Sequence, residues 1–192
     1  MRRSPAACLR GFLFLALAFG GAASADEALW GKLQAGGFVV FIRHGLTDPG
    51  VGDPPGFKLG DCKTERNLNA EGRAESRRLG EAVQRRKIPV AQVLSSEWCR
   101  CRETAELAFG RYETWNALNN LFGRSENAEA QKRAMLERAS RFAGPGNLIL
   151  VSHGATIVTV TGVSPAPAEM VVMRPAGAGK LEFLGRIPAP PG

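Results

Sequence analysis

Residues 38–45 read FVVFIRHG: Phe38 to Ile42 is apolar without a break, and Arg43-His44-Gly45 follows. A strand with one wet face alternates apolar and polar residues, so an unbroken run of this length predicts a strand covered on both faces. Leu148 to Val151 (LILV) repeats the pattern and ends on Ser152-His153-Gly154. Val90 to Leu94 predicts a further strand, ending on Ser95-Ser96 with Arg100 soon after. Helical stretches lie between them. Asn69 can cap one that runs to about Lys87, with Leu79 and Val83 inward and arginines outward. Cys99 to Phe109 and Ala128 to Phe142 are two more, and Asp26 to Gln34 is a short one stopped by Gly36-Gly37. Glu169 to Arg174 and Lys180 to Ile187 flank Gly177-Ala178-Gly179 and predict an edge hairpin. Strands separated by helices predict an α/β fold: a three-layer α/β/α sandwich with a mainly parallel sheet and an antiparallel edge hairpin.

Composition agrees with one folded domain. The 192 residues are 44% hydrophobic and 22% charged, which excludes a disordered chain. Gly and Pro are numerous (23 and 12) but fall in loops without a period, which excludes a collagen-like repeat. Nothing in the pattern points to a nucleic-acid partner.

The first 25 residues form a separate unit. Arg2, Arg3 and Arg10 are basic, Gly11 to Phe19 (GFLFLALAF) is apolar, and Ala23-Ser24-Ala25 is a small-x-small cleavage pattern. This is the layout of a secretory signal; it predicts an exported, periplasmic or extracellular protein comprising residues 26–192, with no stable membrane insertion after cleavage. Loss of the three arginines lowers the formal charge from +7 to +4, which suits an acidic substrate or surface. Export permits disulfides. Cys62 with Cys99 or with Cys101 would close a loop of nearly 40 residues and leave one thiol over. A C-x-C metal site is the rival reading, but no second Cys/His pair stands at ligand spacing.

The chemistry gathers at strand ends. In open parallel sheets ligands bind beyond the carboxyl ends of the strands. Both histidines of the chain, His44 and His153, and two arginines, Arg43 and Arg100, can therefore converge on one crevice. The glycines after each histidine permit close backbone approach, and the helices that follow can aim N–H groups at an anion. Guanidinium forks match phosphate oxygens. Their charge favours a neutral His44 whose free nitrogen can attack phosphorus, while His153 binds an equatorial oxygen. Ser95, Ser96 and Ser152 also lie near the crevice and leave a serine hydrolase open, although no Gly-x-Ser-x-Gly elbow is present.

Phe41-Ile42-Arg43-His44-Gly45, Asn67-Leu68-Asn69-Ala70-Glu71-Gly72-Arg73, Ser95-Ser96-Glu97-Trp98-Cys99-Arg100-Cys101-Arg102-Glu103-Thr104-Ala105 and Val151-Ser152-His153-Gly154 resemble, in order and spacing, the histidine phosphatase superfamily of phosphoglycerate-mutase-like fold. The resemblance runs from about residue 38 to 160. It implies an exported member of the compact branch: a phosphatase acting through a phosphohistidine on His44, with Arg43, Arg100 and His153 completing the phosphate pocket. It implies no metal and no organic cofactor. A phosphorylated sugar or envelope glycan would fit the compartment and the charge. The chain departs from the pattern in its long 44–67 loop and in Glu97, where proline is usual. The compact branch's proton donor is typically a Glu two to three dozen residues after the second arginine, which makes Glu126 a candidate beside Asp48, near His44; Glu113 is closer in sequence. A noncatalytic phosphate-binding module of the same fold is the alternative reading.

Overall fold

A computed structural model describes residues 21–50 and 52–192. The basic and apolar segments of the predicted signal, and Cys8, lie outside the described residues. Six strands form one sheet in the order β3-β2-β4-β1-β5-β6. In chain order the elements are α1 (Gly21–Ala35), β1 (Val39–Arg43), α2 (Ala70–Arg85), β2 (Val90–Ser95), α3 (Cys99–Phe109), β3 (Glu113–Thr114), α4 (Ala128–Ser140), β4 (Asn147–Ser152), α5 (Gly154–Thr161), β5 (Met170–Pro175) and β6 (Leu181–Ile187). Strands β1, β2, β3 and β4 run parallel, whereas β5 pairs antiparallel with both β1 and β6. The predicted hairpin is present, but only β6 is an edge, because β5 is stitched to β1. Helix α1 starts five residues earlier than the sequence predicts and passes through Ala23-Ser24-Ala25.

The apolar runs alternate between two cores. Val40, Ile42, Ile149, Val151 and Val172 face one side with Leu29, Trp30 and Leu33 of α1, Leu79 and Val83 of α2, and Ala105 of α3. Val39, Phe41, Leu148, Leu150 and Val171 face the other with Met135 and Ala139 of α4 and Ile157 of α5. Both faces of the central strands are thus covered, as unbroken apolar runs require. Every residue of β4 is buried.

Two glycines set how α2 meets the end of β1. A Cβ on Gly45 would lie 2.5 Å from the carbonyl oxygen of Gly72, and one on Gly72 would strike the backbone of Leu46. The turn after β1 and the first turn of α2 therefore touch backbone to backbone. Asn69 caps that turn by accepting from the Gly72 N–H at 2.8 Å.

Candidate active site

The polar ends of β1, β2 and β4 lie side by side because these strands are neighbours in the sheet. Arg43 pairs in register with Ser152, and Ser95 with Val151. A cleft of about 440 Å³ opens over them, lined by Arg43, His44, Arg66, Arg100, His153 and Gly154 among others. All four residues predicted to form the site reach it. The His44 and His153 rings meet edge to face with centroids 5.3 Å apart.

His44 is buried, and its Nδ1 lies 2.9 Å from the carbonyl oxygen of Gly45. A carbonyl can only accept, so Nδ1 carries the proton and Nε2 keeps its lone pair. The turn that does this is tied to α3: Gly45 N–H donates to Thr104 Oγ1 at 3.0 Å, and that hydroxyl donates to Arg100 O at 2.8 Å. Burial, then the charge of Arg100, push the His44 pKa down to about 3; Arg43 and Arg66 act the same way, against the Gly45 hydrogen bond. Neutrality of the ring was expected from its cationic neighbours, but desolvation is the larger cause.

Burial first, then the neighbouring His44 and the charges of Arg100, Arg43 and Arg66, hold His153 well below the ordinary imidazole value. Its Nε2 lies 2.9 Å from Ser96 Oγ and 3.4 Å from Cys101 Sγ. Ser96 is itself fixed, receiving the Trp98 N–H at 3.3 Å and contacting Asn119 Oδ1 at 3.2 Å.

Arg43 donates from Nη1 to Pro165 O at 3.0 Å, and Arg100 is an ion-paired residue at 1% exposure. The Nε–H groups of Arg43, Arg66 and Arg100 are all buried without a protein partner. Arg102 Nε is buried unpartnered as well, but among these four arginines only Arg43, Arg66 and Arg100 line the cleft, where an anion would offset the cost of their unmade hydrogen bonds.

Three residues of the 44–67 loop belong to this neighbourhood although the sequence did not single them out. Arg66 adds a third guanidinium to the cleft wall, with Nη1 on Gly50 O at 2.6 Å. Asp53 forms a two-oxygen ion pair with Arg100, at 2.7 and 3.3 Å. Glu65 accepts from Cys99 N–H at 2.7 Å and from Gly60 N–H at 2.6 Å. The only sequence signal was a long Gly-, Pro- and Asp-rich loop between apolar elements, and nothing in it marks these three residues. The disulfide joins Cys62 to Cys99, which chooses between the two pairings expected, and Cys101 is free and buried. Burial pushes the Cys101 thiol up to about 12, so it stays protonated. With Cys99 bridged, the C-x-C metal reading loses a ligand, and among the described residues no cluster suited to a metal is found.

Several expectations need correction. Asp48 and Glu126 are exposed and do not line the cleft. Glu113 is exposed in β3. Asp53 is the carboxylate that reaches the cleft's cations. Burial raises its pKa, but the hydrogen bonds and charge of Arg100, aided by Trp98 and Arg66, outweigh that and hold it below the usual value, so it is no proton donor. The first N–H of α3 is taken by Glu65 and that of Gly72 in α2 by Asn69, so neither is free for a substrate anion. Ser152 Oγ donates to Leu118 O at 2.7 Å and Ser95 Oγ to Ser96 O at 2.9 Å, so of the three serines it is Ser96 that contacts His153.

The family model of the histidine phosphatase superfamily (branch 1) matches residues 39–134. No curated protein matches the chain. Among solved structures, the protein histidine phosphatase SixA complexed with tungstate is 16% identical with a TM-score of 0.52, the alignment covering 79% of this chain and 97% of that one. A SixA protein from Agrobacterium tumefaciens is 21% identical with a TM-score of 0.51, over 78% and 97% of the two chains. A phosphoserine phosphatase mutant from Entamoeba histolytica in complex with phosphoserine is 12% identical with a TM-score of 0.54, over 78% and 95%. At these identities the likeness is one of fold. The matched segment carries the first histidine, both expected arginines and the loop between them, and on that basis this chain belongs to the histidine phosphatase superfamily.

Proposed function

We propose that the protein is an exported phosphatase that hydrolyses phosphomonoesters through a phosphohistidine on His44 Nε2. One observation carries the reading: a neutral imidazole, its Nδ1–H donated to Gly45 O, shares a cleft with three arginines whose Nε–H groups have no partner among the described residues. The Nε2 lone pair attacks phosphorus as the ester P–O bond breaks, and the leaving oxygen departs with the bonding pair. Water then attacks phosphorus, the N–P bond breaks, and inorganic phosphate and neutral His44 are restored. Arg43, Arg66, Arg100 and His153 hold the phosphoryl oxygens through both steps, where positioning and charge stabilisation do most of the work. No metal or organic cofactor enters this reading.

The signal-like leader, the disulfide and the positive charge support an extracytoplasmic site, and a phosphorylated sugar or envelope glycan fits that compartment as substrate. The absence of a proton-donating carboxylate from the cleft lining favours a second reading, a phosphate-binding module without turnover. Steady-state assay of purified protein with a generic aryl phosphate separates them. Turnover that His44→Ala abolishes and Arg100→Ala lowers by about a hundredfold or more supports the phosphatase. Phosphate binding without turnover supports the module, and turnover kept by His44→Ala but lost by Ser96→Ala supports a serine hydrolase.

A further inference from the structure

We propose that Asp53 is a positioning residue that turns Arg100 so that one edge of its guanidinium is reserved for the substrate's oxyanion. The proposal rests on the phosphatase reading of the cleft. A guanidinium has five N–H groups in fixed directions. In Arg100, Nη1 spends one on Asp53 Oδ1 at 2.7 Å and one on Arg66 O at 3.2 Å, and Nη2 spends one on Asp53 Oδ2 at 3.3 Å. What remains is Nε–H and the second Nη2–H, which lie parallel on one edge, the spacing a phosphate takes up with two oxygens. Nε is buried with no partner.

Asp53 is held in turn. Trp98 Nε1–H donates to Oδ2 at 2.9 Å and Arg66 N–H to Oδ1 at 3.1 Å, so each oxygen serves two donors. The loop that carries Asp53 is fastened to the start of α3 by the Cys62–Cys99 bridge and by Glu65 on the Cys99 N–H. Arg100 lies one residue beyond. An acid that merely competed with substrate for Arg100 would occupy the edge facing the ligand and would line the cleft. Asp53 takes the end of the fork instead and is not among the cleft-lining residues. Removing its charge alone would make the site more positive and tighten anions; removing a brace loosens them. The two roles therefore predict opposite signs.

The test is calorimetric binding of inorganic phosphate to the full protein, to Asp53→Asn, to Arg100→Ala and to the double variant. The brace predicts phosphate binding weaker by about tenfold in Asp53→Asn, and no further loss from that change once Arg100 is alanine. Tighter binding in Asp53→Asn, or an equal loss with and without Arg100, overturns it; a general packing defect gives the latter. Should Asp53→Asn fail to fold, Trp98→Phe removes one donor to the carboxylate and keeps an aromatic side chain beside His153. It is expected to weaken phosphate by about threefold, again only when Arg100 is present, and unchanged affinity there contradicts the proposal. The readout needs no turnover, so a protein that binds phosphate this way but does not hydrolyse esters would lose the phosphatase reading and keep the brace.

Discussion

At His44, enclosure and cationic neighbours act in the same direction, and the ring has its proton fixed on the side away from the substrate. The chain has two histidines, and both are held neutral. Nitrogen-15 spectra at pH 5.5 are therefore expected to show two neutral imidazoles; an imidazolium signal from the folded protein would contradict the assignment. The same depression has a stability consequence. Because the folded pKa of His44 lies near 3 and the unfolded one near 6.5, the unfolded chain binds more protons between those values. His44's contribution is fully present above about pH 6.5 and is lost as pH falls toward 3, so the urea midpoint should drop over that window in the wild type and drop less in His44→Gln. The missing proton donor is also a residue-scale matter. Among the described residues the cleft lining holds no Asp or Glu, so kcat/KM should fall steeply as the leaving group becomes more basic, by about a hundredfold or more from aryl to alkyl phosphates. Asp48→Asn and Glu126→Gln are expected to leave the alkyl phosphate rate, where protonation of the leaving group matters most, within about twofold, and a large loss in either would identify the acid.

Among the elements, the α2–β1 junction and the 44–67 loop do the positioning. At the junction, Gly72→Ala would push a methyl group into the backbone of Leu46, which carries the turn after His44. Denaturant unfolding should show a loss of about 1–3 kcal/mol or more, since neither backbone can yield easily. In the loop, the Cys62–Cys99 bridge spans 37 residues, which in the chain-entropy view stabilises by about 3–4 kcal/mol. Replacing both cysteines with serine should lower the unfolding free energy by that order, and residues 26–192 should show one free thiol, Cys101, when unfolded without reductant. These elements also show what the sequence can and cannot tell. Strands β1 and β4 were legible because burial on both faces forces unbroken apolar runs, and their polar ends disclosed Arg43, His44 and His153; β2, partly exposed at its start and broken by Gln92, was marked by the Ser95-Ser96 that follows its apolar end. Helix α3 matched to the residue, and Asn69 was recognisable as a cap. Asp53, Glu65 and Arg66 were not legible, because their roles arise when an aperiodic loop folds back onto α3, and no spacing encodes that contact. Cys62 pairs with Cys99, and Cys101, two residues further on, points inward to His153, a choice made by helix phase in the first turn of α3.

For the molecule as a whole, one sheet covered on both sides fixes where the cleft can be: beyond β2, β4 and β1, where rigid strands deliver side chains from three distant segments. No described helix is long and apolar enough to cross a membrane. The cleft lining holds three arginines and, among the described residues, no Asp or Glu, so the KM for a dianionic phosphate should rise several-fold between about 0.05 and 0.5 M salt while kcat changes little; a salt-independent KM would remove electrostatic capture from the account. The central claim is a covalent bond between phosphorus and one named nitrogen. Rapid quenching in alkali during turnover of an aryl phosphate, followed by peptide mass spectrometry, tests it most directly. The account predicts an acid-labile, base-stable phosphoryl group on the peptide containing His44, absent from His44→Ala. Turnover with no adduct at any quench time, or an adduct on His153 or a serine, would contradict it.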